Sequence, residues 1–183
     1  MALNFWRKAP PKIKRILTIA MFFLFSIIIT VAGILTPLSE EEINIVGAEL
    51  EETQGVVNSL PKTQQVSFIL GNNFMICLAG FIPIAGPIFE CYVLYSTGVV
   101  LSAYTAYDET IQASPLVVFF SLFLFPFTWL EFLAYSTAIA GSIWLTWRII
   151  HHKGKREIKN TCILISICAV MLLVAAIIEA ALI

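Results

Sequence analysis

Five apolar runs divide the chain, at residues 13–35, 68–85, 88–107, 116–147 and 162–183. A helix needs about 20 such residues to cross a hydrocarbon core of about 30 Å. Inside that core the backbone can close its hydrogen bonds only in helices or a closed barrel. Helix-length runs separated by short polar stretches therefore predict an all-α fold, a polytopic membrane helix bundle of about five transmembrane spans forming one domain over residues 1–183. Composition excludes the main rivals. With 59% hydrophobic and only 13% charged residues, against about 25% charged in soluble domains, the chain is no secreted disulfide scaffold, nucleic-acid binder or ordinary cytosolic enzyme.

The fourth run breaks the pattern. Its 32 residues would make a helix of roughly 48 Å, too long for one upright span and too short for two. An interior proline removes a backbone hydrogen bond and clashes with the preceding turn, so the run is expected to break near Pro126. A half-helix over 116–125 would then precede a full span from about 128 to 147.

Charge sets the expected orientation. Ten of the eleven Lys and Arg residues fall in two clusters, Arg7 to Arg15 and Arg148 to Lys159. Basic loops stay in the cytoplasm. Both clusters can do so if four spans separate them, which predicts a multi-pass cell-membrane protein with the N-terminus cytoplasmic and the C-terminus outside. The first run is longer than a signal-peptide core and Thr36-Pro37-Leu38 offers no small-residue cleavage site, so it is expected to remain as a span. Between spans one and two, Glu40, Glu41, Glu42, Glu49, Glu51 and Glu52 face one cation, Lys62. Ser39 and Glu42 have capping-box spacing, and Ile43, Val46, Leu50, Val57 and Leu60 form an apolar stripe that Pro61 closes. An amphipathic outer helix over about 40–60, interrupted or weakened at Gly55, is expected, its stripe either packed on the bundle or offered to a partner.

Ionisable and amide groups within spans are functional-site candidates by default, which singles out Asn73, Glu90 and Glu131. Of the adjacent Asn72 and Asn73, one is expected to hydrogen-bond across the bundle. Glu90 follows Gly86-Pro87 and is expected in an interfacial turn or at a cavity mouth. Glu131, five residues past Pro126, is expected to satisfy backbone groups freed by the break. Glu179 reads as a solvated residue at a span end. Pro83, Gly86 and Pro87 mark a tight hairpin between spans two and three. Gly98 and Ser102, and Ala134, Ala138 and Gly141, form small-residue ridges that let helices approach closely. Cys77, Cys91, Cys162 and Cys168 lie in apolar runs and read as packing residues. His151 and His152 lack the further ligands a metal site needs. No Walker A, HExxH or GxSxG pattern occurs, so no catalytic residue, metal or cofactor is expected.

The assembled pattern resembles the stage II sporulation protein M family over roughly residues 68–147. The resemblance rests on Asn73, on Gly80 and Gly86 in the hairpin, on Gly98, and on the Pro126-to-Glu131 element followed by small residues ending in Ala140-Gly141. Phe127-Thr128 stands where the family has His-Gly, and Thr97-Gly98 where it has Asn-Gly. The missing histidine removes an acid–base partner for Glu131. The resemblance implies a membrane scaffold that works with cell-wall hydrolases in spore formers. The expected function is a non-enzymatic scaffold or accessory subunit of a membrane complex; the alternative is a transporter-like or channel-like bundle with a polar cavity around Glu131 and Asn73. Expected partners are the lipid bilayer and other membrane proteins or a second copy, and not nucleic acid.

Overall fold

The structure is a computed structural model that describes residues 10–152 and 154–182, the side chain of Arg156 excepted. Arg7 and Lys8 of the first basic cluster, Lys153 of the second and the terminal Ile183 lie outside the described residues. The described chain is all-helical: α1 (Pro11–Ile34), α2 (Glu40–Ser59), α3 (Lys62–Gly80), α4 (Ala85–Tyr107), α5 (Pro115–Leu122), α6 (Pro126–Ile150) and α7 (Gly154–Leu182). By length and apolarity two of these can cross a membrane, α1 and the Glu157–Leu182 stretch of α7, or three if the bent pair α5–α6 counts as one.

Contacts at the two ends show that α1, α3, α4, α6 and α7 alternate in direction. At one end the Arg15 guanidinium of α1 pairs with the carboxylate of Glu157 on α7, and Arg148 Nε of α6 lies 3.8 Å from the same carboxylate. The α3–α4 hairpin reaches this end too: Ser142 Oγ donates to the Ile82 carbonyl at 2.7 Å and the Ile84 amide donates to Thr146 Oγ1 at 3.2 Å. At the opposite end Lys62 Nζ donates to the Ala180 carbonyl at 2.8 Å.

The expected break is present. Helices α5 and α6 meet at 89°, but the half-helix ends at Leu122, not at Phe125. Three successive i→i−3 bonds, from Phe123, Leu124 and Phe125, tighten its end. Phe125 is extended (φ −99°, ψ 135°) because the ring of a following proline disfavours the helical region. Pro126 then opens α6 at its first position, where its missing N–H costs nothing. Phe23, Phe119, Phe123, Trp129 and Phe132 pack edge-on and stacked in the elbow.

Helix α2 starts with the capping box expected of Ser39 and Glu42. The Ser39 amide and hydroxyl both donate to Glu42 Oε2 at 2.8 Å, which holds that carboxyl below the usual carboxylate range. The cap is therefore complete at neutral pH and is lost as the pH falls through the lowered value. Gly47 and Val57 are buried, and a side chain at 47 would run into the Tyr107 ring of α4. The apolar stripe thus packs on its own bundle, and the helix does not stop or weaken at Gly55.

Two expected spans begin earlier than the apolar pattern suggests. Helix α3 starts at Lys62 and ends at Gly80, instead of covering 68–85, and α7 starts at Gly154, instead of 162. Helical hydrogen bonding runs on through polar residues wherever nothing breaks it. The stop after Gly80 comes from the hairpin. There Ala85 N donates to the Pro83 carbonyl at 2.8 Å across Ile84, whose φ of 67° is left-handed. This is a γ-turn of the strained kind. Gly86 packs so closely that a Cβ would overlap the Gly80 carbonyl.

The small-residue ridges do what their spacing implies, with one partner that the pattern did not reveal. A Cβ on Gly98 of α4 would overlap the Thr30 carbonyl of α1, and one on Gly33 of α1 would overlap the Tyr95 carbonyl of α4. The two helices meet backbone to backbone at reciprocal glycines. Ala134, Ala138 and Gly141 are buried in α6; Ser102 is half-buried.

Two outcomes follow for thermal melting in mild detergent. Gly98→Ala is expected to force α1 from α4 and cost about 1–3 kcal/mol, whereas Gly55→Ala, with open space around its Cβ, should stabilise by about 0.5–1 kcal/mol through helix propensity. Equal melting of the two variants would overturn the reciprocal-glycine contact. Ile84→Gly, at a residue 69% exposed, relieves the left-handed strain and should raise stability by about 1 kcal/mol; a fall would show that the turn is unstrained.

Candidate functional site

Asn73 and Glu131 are brought together. Asn73 Nδ2 of α3 donates to Glu131 Oε1 of α6 at 2.6 Å, and Asn72 Nδ2 donates to Asn73 Oδ1 at 3.3 Å. Of the two asparagines, one does bond across the bundle while the exposed other supports it, so a short polar chain runs from the surface of α3 to the half-buried carboxyl of α6. Tyr135, buried one turn further along α6, lies within charge range of Glu131, Glu90 and Glu179.

Glu131 does not hold the elbow, contrary to expectation. The carbonyls freed there are taken by two other side chains of α6: Thr128 Oγ1 donates to Leu122 O at 2.8 Å, and Trp129 Nε1 donates to Phe123 O at 2.7 Å. The geometry explains the difference. A residue five positions past the proline has turned away from the break, while residues two and three positions past it still face the end of α5.

Glu90 sits neither in an interfacial turn nor at a cavity mouth. It is fully buried against Gly80, whose lack of a side chain leaves it room, and neither carboxyl oxygen has a hydrogen-bond partner among the described residues. An unpaired carboxyl in such a place is costly. Glu179 is half-buried and within charge range of Glu131; it is not a freely solvated end residue. The structure therefore joins Asn73 of α3 to Glu131 of α6, with Tyr135 one turn along α6, and sets Glu90 of α4 against Gly80.

Sequence reasoning missed two further contacts. Cys77 and Cys168 Sγ approach the Ala134 carbonyl from α3 and α7, at 3.8 and 3.7 Å. Ser26 and Ser136 hydroxyls meet at 3.3 Å between α1 and α6. Only the serines carried a signal, as polar residues inside apolar runs. His151 leans on Trp147, its Nδ1 2.8 Å from the Trp147 carbonyl.

The sequence model of the stage II sporulation protein M family matches residues 19–182. The chain belongs to that family. The match reaches well beyond the 68–147 core on which the resemblance rested, and takes in α2, most of α1 and α7. Comparison with curated proteins and with solved structures gives no match. Family membership makes the chain a membrane protein of this group, and the apolar α1 and α7 agree with that.

The division of labour around the elbow is testable by melting in detergent. Glu131→Ala should leave the elbow intact, whereas Thr128→Val removes the side-chain bond to the Leu122 carbonyl, which keeps only its bond from the Phe125 amide, and should cost about 0.5–1.5 kcal/mol. A double-mutant cycle of Asn73→Ala with Glu131→Ala should return a coupling of about 0.6–1.7 kcal/mol, the range seen for hydrogen bonds between membrane helices. Zero coupling would show that the Asn73–Glu131 bond does not form.

Proposed function

We propose that the chain is a non-enzymatic, multi-pass scaffold or accessory subunit of a cell-membrane protein complex, and that it holds its partners through α2. One observation carries this reading. With Gly47 and Val57 clamped on the bundle, Ile45, Glu49, Glu52 and Val56 form an exposed stripe at 4-3-4 spacing on the opposite face. Such spacing is one helix face, and a helix fixed in place with mixed apolar and acidic residues outward is preorganised for a partner. The alternation of α1, α3, α4, α6 and α7 supports reading all five as crossings. The gathering of Arg15 and Arg148 at one end supports placing that end in the cytoplasm. Helix α2 and the C-terminus then face outside, where the cell-wall hydrolases implied by the family resemblance act.

A second reading is favoured by Glu90. A buried carboxyl with no hydrogen-bond partner among the described residues, in a bundle that also carries the polar pair Asn73 and Glu131, suits proton or cation handling.

The two readings separate experimentally. Glu49→Lys/Glu52→Lys is expected to lose co-purifying proteins in mild detergent at unchanged melting temperature; undiminished co-purification would remove α2 as the docking face. A reporter fused to the C-terminus should be external, and a cytoplasmic signal would overturn the five-span reading. In proteoliposomes, an ion flux supported by the wild type and lost in Glu90→Gln or Glu131→Gln at equal melting temperature would replace the scaffold by the transporter.

A further inference from the structure

We propose that the basic end of the bundle is a binding site for a phosphate-bearing anion, supplied as the head group of an anionic phospholipid. The inference rests on reading α1 and α7 as membrane-crossing helices and is independent of what α2 binds. A cavity of about 1150 Å³ opens there between α1, α6 and α7, somewhat larger than the roughly 300–1,000 Å³ of small-molecule sites.

Its rim is cationic from three directions: Lys12 and Arg15 of α1, Arg148 of α6 and Lys155 of α7. The one carboxylate in the wall, Glu157, is buried and already engaged by Arg15 and Arg148, so it does not answer the lysines. Neither Lys12 nor Lys155 has a hydrogen bond or ion pair with a described residue. Arg148 Nε is buried and lacks a hydrogen-bond partner among the described residues. Four cations thus line a space whose one carboxylate answers only the two arginines. A phosphate group has the charge and the acceptor oxygens to satisfy them.

The rest of the lining says where that phosphate comes from. The apolar part of the lining is Ile149 beside Arg148, and Ile163 and Leu164 further along α7. Leu164 lies ten residues into α7 from Gly154, roughly 15 Å along the helix. Cations and aliphatic side chains in one lining, at the end of two apolar helices, match a head group with its acyl chains. Basic pockets between membrane helices on the cytoplasmic side bind lipid head groups in this way.

The test uses delipidated full-length protein in mild detergent. Native mass spectrometry reads bound lipid with phosphatidylglycerol or phosphatidylcholine added, and a thermal shift reads glycerol 3-phosphate and inorganic phosphate. Phosphatidylglycerol is expected to be retained at least about ten-fold over phosphatidylcholine. Lys12→Gln/Lys155→Gln should weaken it about thirty-fold, at roughly five-fold per lysine. Lys62→Gln, at the opposite end, should change nothing. Equal retention of the two lipids, or equal retention by the double variant and Lys62→Gln, would overturn the site. Saturable binding of glycerol 3-phosphate or inorganic phosphate, abolished by the double variant and unaccompanied by lipid retention, would overturn the lipid source while keeping the phosphate chemistry.

Discussion

The structure depends on one helix being buried on every side. Residues 134 to 142 of α6 are buried without exception, and α1, α3, α4 and α7 all pack on it. A helix so enclosed can carry only side chains that let its neighbours come close, and this stretch reads Ala-Tyr-Ser-Thr-Ala-Ile-Ala-Gly-Ser. In a bilayer, where apolar side chains gain little by leaving lipid, such close packing is a main source of association energy. The placement of the other groups follows from this axis. Cys77 and Cys168 reach the Ala134 carbonyl, Ser26 reaches Ser136, and Phe81 fills the space left at Gly141. The polar pair Asn73–Glu131 sits just before the small-residue stretch begins.

Much of this was legible in the sequence because it obeys local rules. The capping box of Ser39 and Glu42, the stripe from Ile43 to Val57, the break at Pro126 and the small ridges of α4 and α6 each follow from spacing along one helix. What resisted reading was the pairing between helices. Gly33 has nothing in its local pattern to mark it, yet it is half of the contact that Gly98 makes. The depth of Glu90 is not legible because the proline-rich hairpin beside it reads as an interface. In the structure α4 begins at Ala85, and Gly80 opens a recess into which the carboxyl is pressed. Glu131 was assigned to the elbow by proximity in sequence, when helical rotation had already turned it toward α3.

The two ends of the bundle divide their chemistry. One end collects cations around a single buried glutamate, and the other carries an acidic helix clamped flat against α4. The polar groups between them are few, and most are satisfied by their own helix: Thr18, Ser26, Thr30 and Ser136 each donate to a carbonyl four residues back. Against this background Glu90 is a fully buried carboxyl with no hydrogen-bond partner among the described residues.

The reciprocal glycines also constrain how the protein is made. Gly33 and the Gly98 that it meets are 65 residues apart, and α2, α3 and the hairpin lie between them. At about 5–20 residues per second a ribosome needs roughly 3–13 s to supply the second after the first. Throughout that interval the notch at Gly33 has no α4 to fill it, and α1 must then dock with a helix that is not its neighbour in sequence. Assembly of this bundle is therefore not completed by stacking neighbouring helices alone: the contact of α1 with α4 waits on the synthesis of everything between them.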